Sequence, residues 1–139
     1  MFNRILVPTD FSKKHISSLD IAVNLAEKYK STVHLFHVIE IIPEMSFKEF
    51  EAFYNKLEKK AEDNMNALIS SYKNKSFRFV QNIEYGNRTK EILKFIKQNE
   101  INLVIMNSHK VKIANPVQDW GTISYQVSLL TKIPIMLVK

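Results

Sequence analysis

Asp10 stands just past the apolar run Ile5-Leu6-Val7, where a carboxylate can accept hydrogen bonds from the hydroxyls of a sugar. It is equally placed to cap the first turn of a following helix together with Ser12, and the two roles are compatible. Further along, Lys110 and Lys112 can attract phosphate as point charges. Gly121-Thr122 falls where a helix begins, so Thr122 reads as an N-cap and the helix start as an anion site. His15, His34, His37 and His109 include no i, i+4 helical pair, and His34 and His37 point to opposite faces of one strand. Their spacing therefore supports no metal site. His109, in a polar loop, is either a ligand contact or an exposed loop histidine. With no cysteine the chain has no thiolate nucleophile and no disulfide framework. The Gly-x-Ser-x-Gly elbow, the P-loop lysine motif and the Gly-x-Gly-x-x-Gly fingerprint are also missing.

These residues are positioned by a regular alternation of elements. The run 4–7 ends at Pro8 and reads as a buried strand. Ile16, Leu19, Ala22, Val23, Ala26 and Tyr29 follow at three- and four-residue spacing, one face of a helix. Residues 32–39 are β-branched and apolar, a second strand. Ser46-Phe47-Lys48-Glu49 has capping-box spacing and opens a helical stripe through Phe50, Phe53, Leu57, Ala61, Met65, Leu68 and Tyr72, to about residue 73. Phe47, Phe50, Phe53 and Tyr54 at its start read as core, or as a lid or partner surface. A third strand is predicted at 77–84. Gly86-Asn87 makes a turn, and Asn87 caps a helix carrying Ile92, Leu93, Phe95 and Ile96. Residues 103–106 form a continuous apolar run, the mark of a strand covered on both faces. A polar loop at 107–119, a helix at 122–130 burying Ile123, Val127 and Leu130, and a last strand at 134–138 complete the chain. Five alternations of strand and helix require a mainly parallel sheet with helices on both faces. Ligands in such sheets sit at the carboxyl ends of the strands, here residues 8–12, 38–42 and 107–122.

The bulk properties narrow the function. A chain of 139 residues, 45% hydrophobic and 24% charged, has the length and composition of one globular domain, 1–139. No apolar stretch approaches the ~20 residues of a membrane-spanning helix, and the N-terminus reaches Pro8 too soon for a signal-peptide core. A cytoplasmic protein with no membrane partner is the expectation. The net charge of +6 is spread out, and the dense run Lys56, Lys59, Lys60 is interleaved with Glu58 and Glu62. That is the pattern of a solvated helix face, which argues against nucleic acid as the partner.

With these pieces in order, the chain resembles the universal stress protein family. The resemblance lies in Ile5-Leu6-Val7-Pro8-Thr9-Asp10-Phe11-Ser12, His37-Val38, Gly86-Asn87 with Glu91-Ile92-Leu93, and Asn102-Leu103-Val104-Ile105-Met106. Gly121-Thr122 with Val127 and the closing Ile133-Pro134-Ile135-Met136-Leu137-Val138 complete it. It implies a Rossmann-like, adenine nucleotide alpha hydrolase-like α/β fold: an open five-stranded parallel sheet of strand order 3-2-1-4-5. It implies a homodimer, paired through the C-terminal strand. It also nominates Pro8, Thr9, Asp10 and Val38 to hold adenine and ribose, and Asn107, Ser108, His109, Lys110, Gly121 and Thr122 to hold phosphate. The family's ATP-binding loop has a glycine after the fourth strand and another three residues on, because N–H groups must close around phosphate oxygens. Here those positions are Asn107 and Lys110, ten residues rather than nine separate Lys110 from Gly121, and Pro116 removes a further donor. Asparagine tolerates the left-handed region that glycine would take, whereas lysine adds a side chain where backbone should approach.

What the resemblance implies is thus a regulatory or stress-response module without catalysis, carrying half of an adenine-nucleotide site. The ligand expected is AMP or another adenine nucleotide, ATP with Mg²⁺, or none. The alternative is a slowly ATP-hydrolysing switch using Asp10, Lys110 and Thr122. A third reading is an interaction module for a protein partner.

Overall fold

The computed structural model describes residues 1–12, 16–72, 75–108 and 122–139. Strands β1 (Arg4–Pro8), β2 (Thr32–Glu40), β3 (Arg78–Gly86), β4 (Leu103–Asn107) and β5 (Ile135–Val138) alternate with helices α1 (Ile16–Tyr29), α2 (Glu51–Ser70), α3 (Arg88–Gln98) and α4 (Ile123–Leu130). The strands form one sheet of order β3-β2-β1-β4-β5, and every pair is parallel. The expected fold is therefore the observed one. Its register places Ile5 between Val33 of β2 and Leu103 of β4. Such central strands must be apolar on both faces, and Ile5, Leu6 and Val7 are fully buried.

Alternate strand residues feed two cores. Ile5, Val7, Val33, Leu35, Leu103 and Ile105 pack under α1 and α2, against Leu19, Ala22, Val23, Ala26 and Met65. Leu6, Phe36, Val38, Val104 and Met106 pack on the other face under α3 and α4, against Ile92, Phe95, Ile96 and Val127. Each buried Leu, Ile, Val or Phe contributes roughly 1.5–3 kcal/mol, so the two layers hold the strand ends in fixed relation.

Local chemistry sets the helix starts. Asn87 accepts from the Lys90 N–H at 3.0 Å, and Thr122 caps α4 by accepting from the Tyr125 N–H at 3.4 Å. Helix α2 departs from expectation. Ser46 Oγ accepts from the Glu49 N–H at 3.4 Å and Phe50 N–H donates to the Ser46 carbonyl, but this turn is separate and the helix begins at Glu51. The cause is Tyr54, whose fully buried phenol accepts from the Ile42 N–H at 3.1 Å and donates to the Met45 carbonyl at 2.5 Å. Those bonds fold the connection back on the helix and use its first turn's room. Tyr54 is thus the core residue here, while Phe47, Phe50 and Phe53 remain exposed. Ile16, Tyr29 and Leu130, also expected to be buried, lie exposed at helix ends. The third strand begins one residue later than predicted and runs two further, to Gly86, because Glu40 pairs with it there. Among the described residues no helix is long and apolar enough to cross a membrane.

Candidate functional site

The chain leaves β1 through a segment that is bonded at every residue. Thr9 N–H continues the ladder to the Phe36 carbonyl at 2.8 Å. Thr9 Oγ1 accepts from the Phe11 N–H at 3.0 Å, and Asp10 Oδ1 accepts from the Ser12 N–H at 2.8 Å. Side chains that bond their own backbone two residues on make a tight turn, and here it carries Phe11 into the left-handed region at φ 64°. Phe11 is a bulky residue for that region, and strain of this kind collects where a site must be shaped.

His37 braces the turn from beneath. Its Nδ1 lies 2.7 Å from the Thr9 carbonyl, so that nitrogen carries the proton, and its ring packs on Phe11 with centroids 4.5 Å apart. Burial lowers its pKa below the usual 6.5, and Arg88 acts the same way; the bond to Thr9 and the charge of Asp10 oppose them. A neutral ring at pH 7 follows.

Above this turn a cavity of about 410 Å³ opens at the carboxyl ends of β1, β2 and β4, on the side facing α3 and α4. This is where the strand order reverses, between β1 and β4. Of the residues nominated from the sequence, Pro8, Thr9, Asp10, Val38, Asn107 and Ser108 line it. Thr122 stands one residue outside, committed to capping α4. His109, Lys110 and Gly121 lie outside the described residues. The lining also includes residues not nominated as ligand contacts: Ser12, Ile92 and Met106, which lie within the motifs, and Phe36, Arg88, Ile123 and Ser124, which lie outside them. Arg88 directly follows the Gly86-Asn87 turn and Ser124 follows Thr122 by two, so proximity to those motifs was the available signal.

The cavity is chemically divided. Phe36, Val38, Ile92, Met106 and Ile123 form an apolar slot of the kind that takes a flat ring. Around it stand the Asp10 carboxylate, the Arg88 guanidinium and the hydroxyls of Ser12, Ser108 and Ser124. Ser108 Oγ is buried without a hydrogen-bond partner among the described residues, a group that a ligand would satisfy. Asp10 holds the Ser12 N–H by one oxygen in a local turn while lining the cavity.

The whole chain, residues 1–139, matches the family described as the universal stress protein family. Universal stress protein YxiE of Bacillus subtilis is 24% identical, with both chains covered completely. The solved structure of the hypothetical protein MJ0577 is 27% identical with TM-score 0.77, covering 100% of this chain and 96% of that one. Two further structures hold nucleotides. The universal stress protein from Archaeoglobus fulgidus in complex with dAMP is 13% identical, with TM-score 0.72 and full coverage of both chains. A universal stress protein in complex with cAMP is 15% identical, with TM-score 0.67, covering 99% of this chain and 96% of that one.

Proposed function

The chain belongs to the universal stress protein family, and on that premise we propose that it is a cytoplasmic regulatory module that binds an adenine nucleoside monophosphate and acts by binding rather than by turnover. The observation that carries this reading is the divided cavity at the sheet's switch point, an apolar slot flanked by Asp10 and by hydroxyls. Structural neighbours hold dAMP and cAMP, each an adenine nucleotide with one phosphate. The residues Asn107, Lys110 and Pro116, standing where backbone N–H groups would have to surround a polyphosphate, favour one phosphate over three. Adenine fits between Val38 and Ile92, with the ribose hydroxyls on Asp10.

A thermal-shift panel of AMP, dAMP, cAMP and ATP with Mg²⁺ tests the proposal. A monophosphate at 100 times its dissociation constant adds about 2.7 kcal/mol, a rise of several degrees in Tm. Asp10→Ala should weaken binding about tenfold, the worth of a hydrogen bond to a charged group. No shift with any nucleotide at millimolar concentration, or steady phosphate release from ATP, would overturn it.

We also propose that the chain self-associates through β5. Among the described residues the outer edge of that strand is unpaired in the sheet, and Met136 on it is exposed.

A further inference from the structure

We propose that the exposed aromatic surface where β2 passes into α2 is a docking site for a protein partner that presents an amphipathic helix, apolar on one face and basic beside it. Eleven large apolar residues are exposed among the described residues, and five of them, Ile41, Ile42, Phe47, Phe50 and Phe53, fall within residues 41–53. Apolar side chains scattered singly need no explanation, whereas a cluster of this kind marks a surface that another molecule covers. The segment follows β2 directly, so it stands at the same end of the sheet as the cavity.

The surface is built on the core. Tyr54, fully buried, holds its underside: the phenol accepts from the Ile42 N–H and donates to the Met45 carbonyl. Phe47 stacks on the Tyr54 ring with centroids 5.7 Å apart and meets Tyr85 edge-on at 5.2 Å, while Phe53 meets Tyr54 edge-on at 5.4 Å. Tyr85 is fixed in turn by its hydroxyl, which donates to Glu58 at 2.7 Å. Side chains held in place beforehand lose little freedom on binding, and aromatic anchors carry much of an interface's energy.

Charge selects the occupant. Residues 41–53 carry Glu44, Glu49 and Glu51 against Lys48 alone, in a chain of net charge +6, and all four side chains are exposed. Further along α2, Lys56, Lys59 and Lys60 are balanced by Glu58, Glu62 and Asp63, so the acidic character belongs to this end. A second copy docking face to face would bring like charges together, whereas a basic partner would pair them. An amphipathic helix presents an apolar stripe and lysine or arginine side by side, and so meets both demands.

The test uses a helical peptide with leucine on one face and lysine on the other, and the same peptide with glutamate for lysine, each titrated into the isotope-labelled full chain by NMR. The lysine peptide should bind with a Kd on the order of 10 μM, shift the resonances of residues 41–53, and weaken as salt is raised. The glutamate peptide should bind at least about tenfold more weakly. Phe50→Ser and Phe53→Ser, exposed changes that should leave circular dichroism native, should each weaken the lysine peptide about tenfold. Glu49→Gln with Glu51→Gln should weaken it about threefold at low salt and leave it unchanged at high salt. No binding of the lysine peptide, equal binding of both peptides, shifts centred elsewhere, or unchanged affinity in the Phe50 and Phe53 variants would overturn the proposal. Self-association of the wild-type chain that Phe53→Ser abolishes would overturn it too, by making the surface an interface between copies of this chain.

Discussion

At the scale of single residues, His34 sets a cost that depends on pH. It is buried in β2 on the α3 side, its ring edge-on to Phe95 at 5.7 Å, and its Nδ1 has no hydrogen-bond partner among the described residues. Burial lowers its pKa below 6.5, and the positive charges of Arg4 and Arg78 add to the effect. The unfolded chain therefore takes up a proton that the folded chain resists. Stability is full above pH 6.5 and declines as the pH falls from there through the folded pKa. His34→Phe, which keeps the ring and removes the titration, should flatten part of the loss of Tm between about pH 7.5 and 5.5, by a few degrees. His37, whose pKa is lowered in the same direction, adds to the loss. Unchanged pH profiles in thermal melts of the two proteins would refute this account. The residues that sequence reasoning placed correctly share a property: their roles are local. Asn87 and Thr122 cap helices within three residues of themselves, and Asp10 bonds two residues on. Arg88 and Ser124 had only their nearness to the Gly86-Asn87 and Gly121-Thr122 motifs to announce them, because lining a cavity depends on the packing of separate elements.

At the scale of elements, apolar patterning located every strand and helix among the described residues, because each helix buries one face and the central strands bury both. It failed at α2, where Phe50 and Phe53 continue an apolar stripe on paper but Tyr54 fills the core. The buried Tyr54 phenol accepts from the Ile42 N–H and donates to the Met45 carbonyl, two hydrogen bonds that a count of apolar residues cannot see. The turn from β3 to α3 offers a sharper test. Gly86 has φ 144°, and a Cβ added there would sit 3.0 Å from Cγ and Oε1 of Glu91. Gly86→Ala should thus cost about 1–3 kcal/mol, mostly in backbone strain. In melts this reads as a loss of roughly 3–10 °C. Adding Glu91→Ala should recover only the steric part, since the end of a flexible side chain can move whereas φ cannot. A Gly86→Ala protein as stable as wild type would show that the turn tolerates a side chain.

At the scale of the whole molecule, strand order was not readable from the alternation of elements; it came with the family resemblance, and the sheet bears it out as β3-β2-β1-β4-β5. That order leaves two strands at the edges, and they differ in kind. β3 exposes Arg78, Gln81 and Glu84, polar groups that discourage another strand from adding. β5 reads Ile-Met-Leu-Val, with Met136 39% exposed, and has no charge of its own to protect it. If chains pair, β5 is the edge that does so. The formal charge of +6 on each copy opposes the pairing. Light scattering on a sizing column should therefore show two copies of the 16.3 kDa chain at micromolar concentration, with the dimer favoured as salt screens the repulsion. Met136→Lys should return the protein to monomer, because a lysine at the centre of the strand is the device that other edge strands use against pairing. Its circular dichroism should stay native, since that side chain already faces outward. A wild-type monomer at high salt, or a dimer that Met136→Lys leaves intact, would remove β5 as the interface.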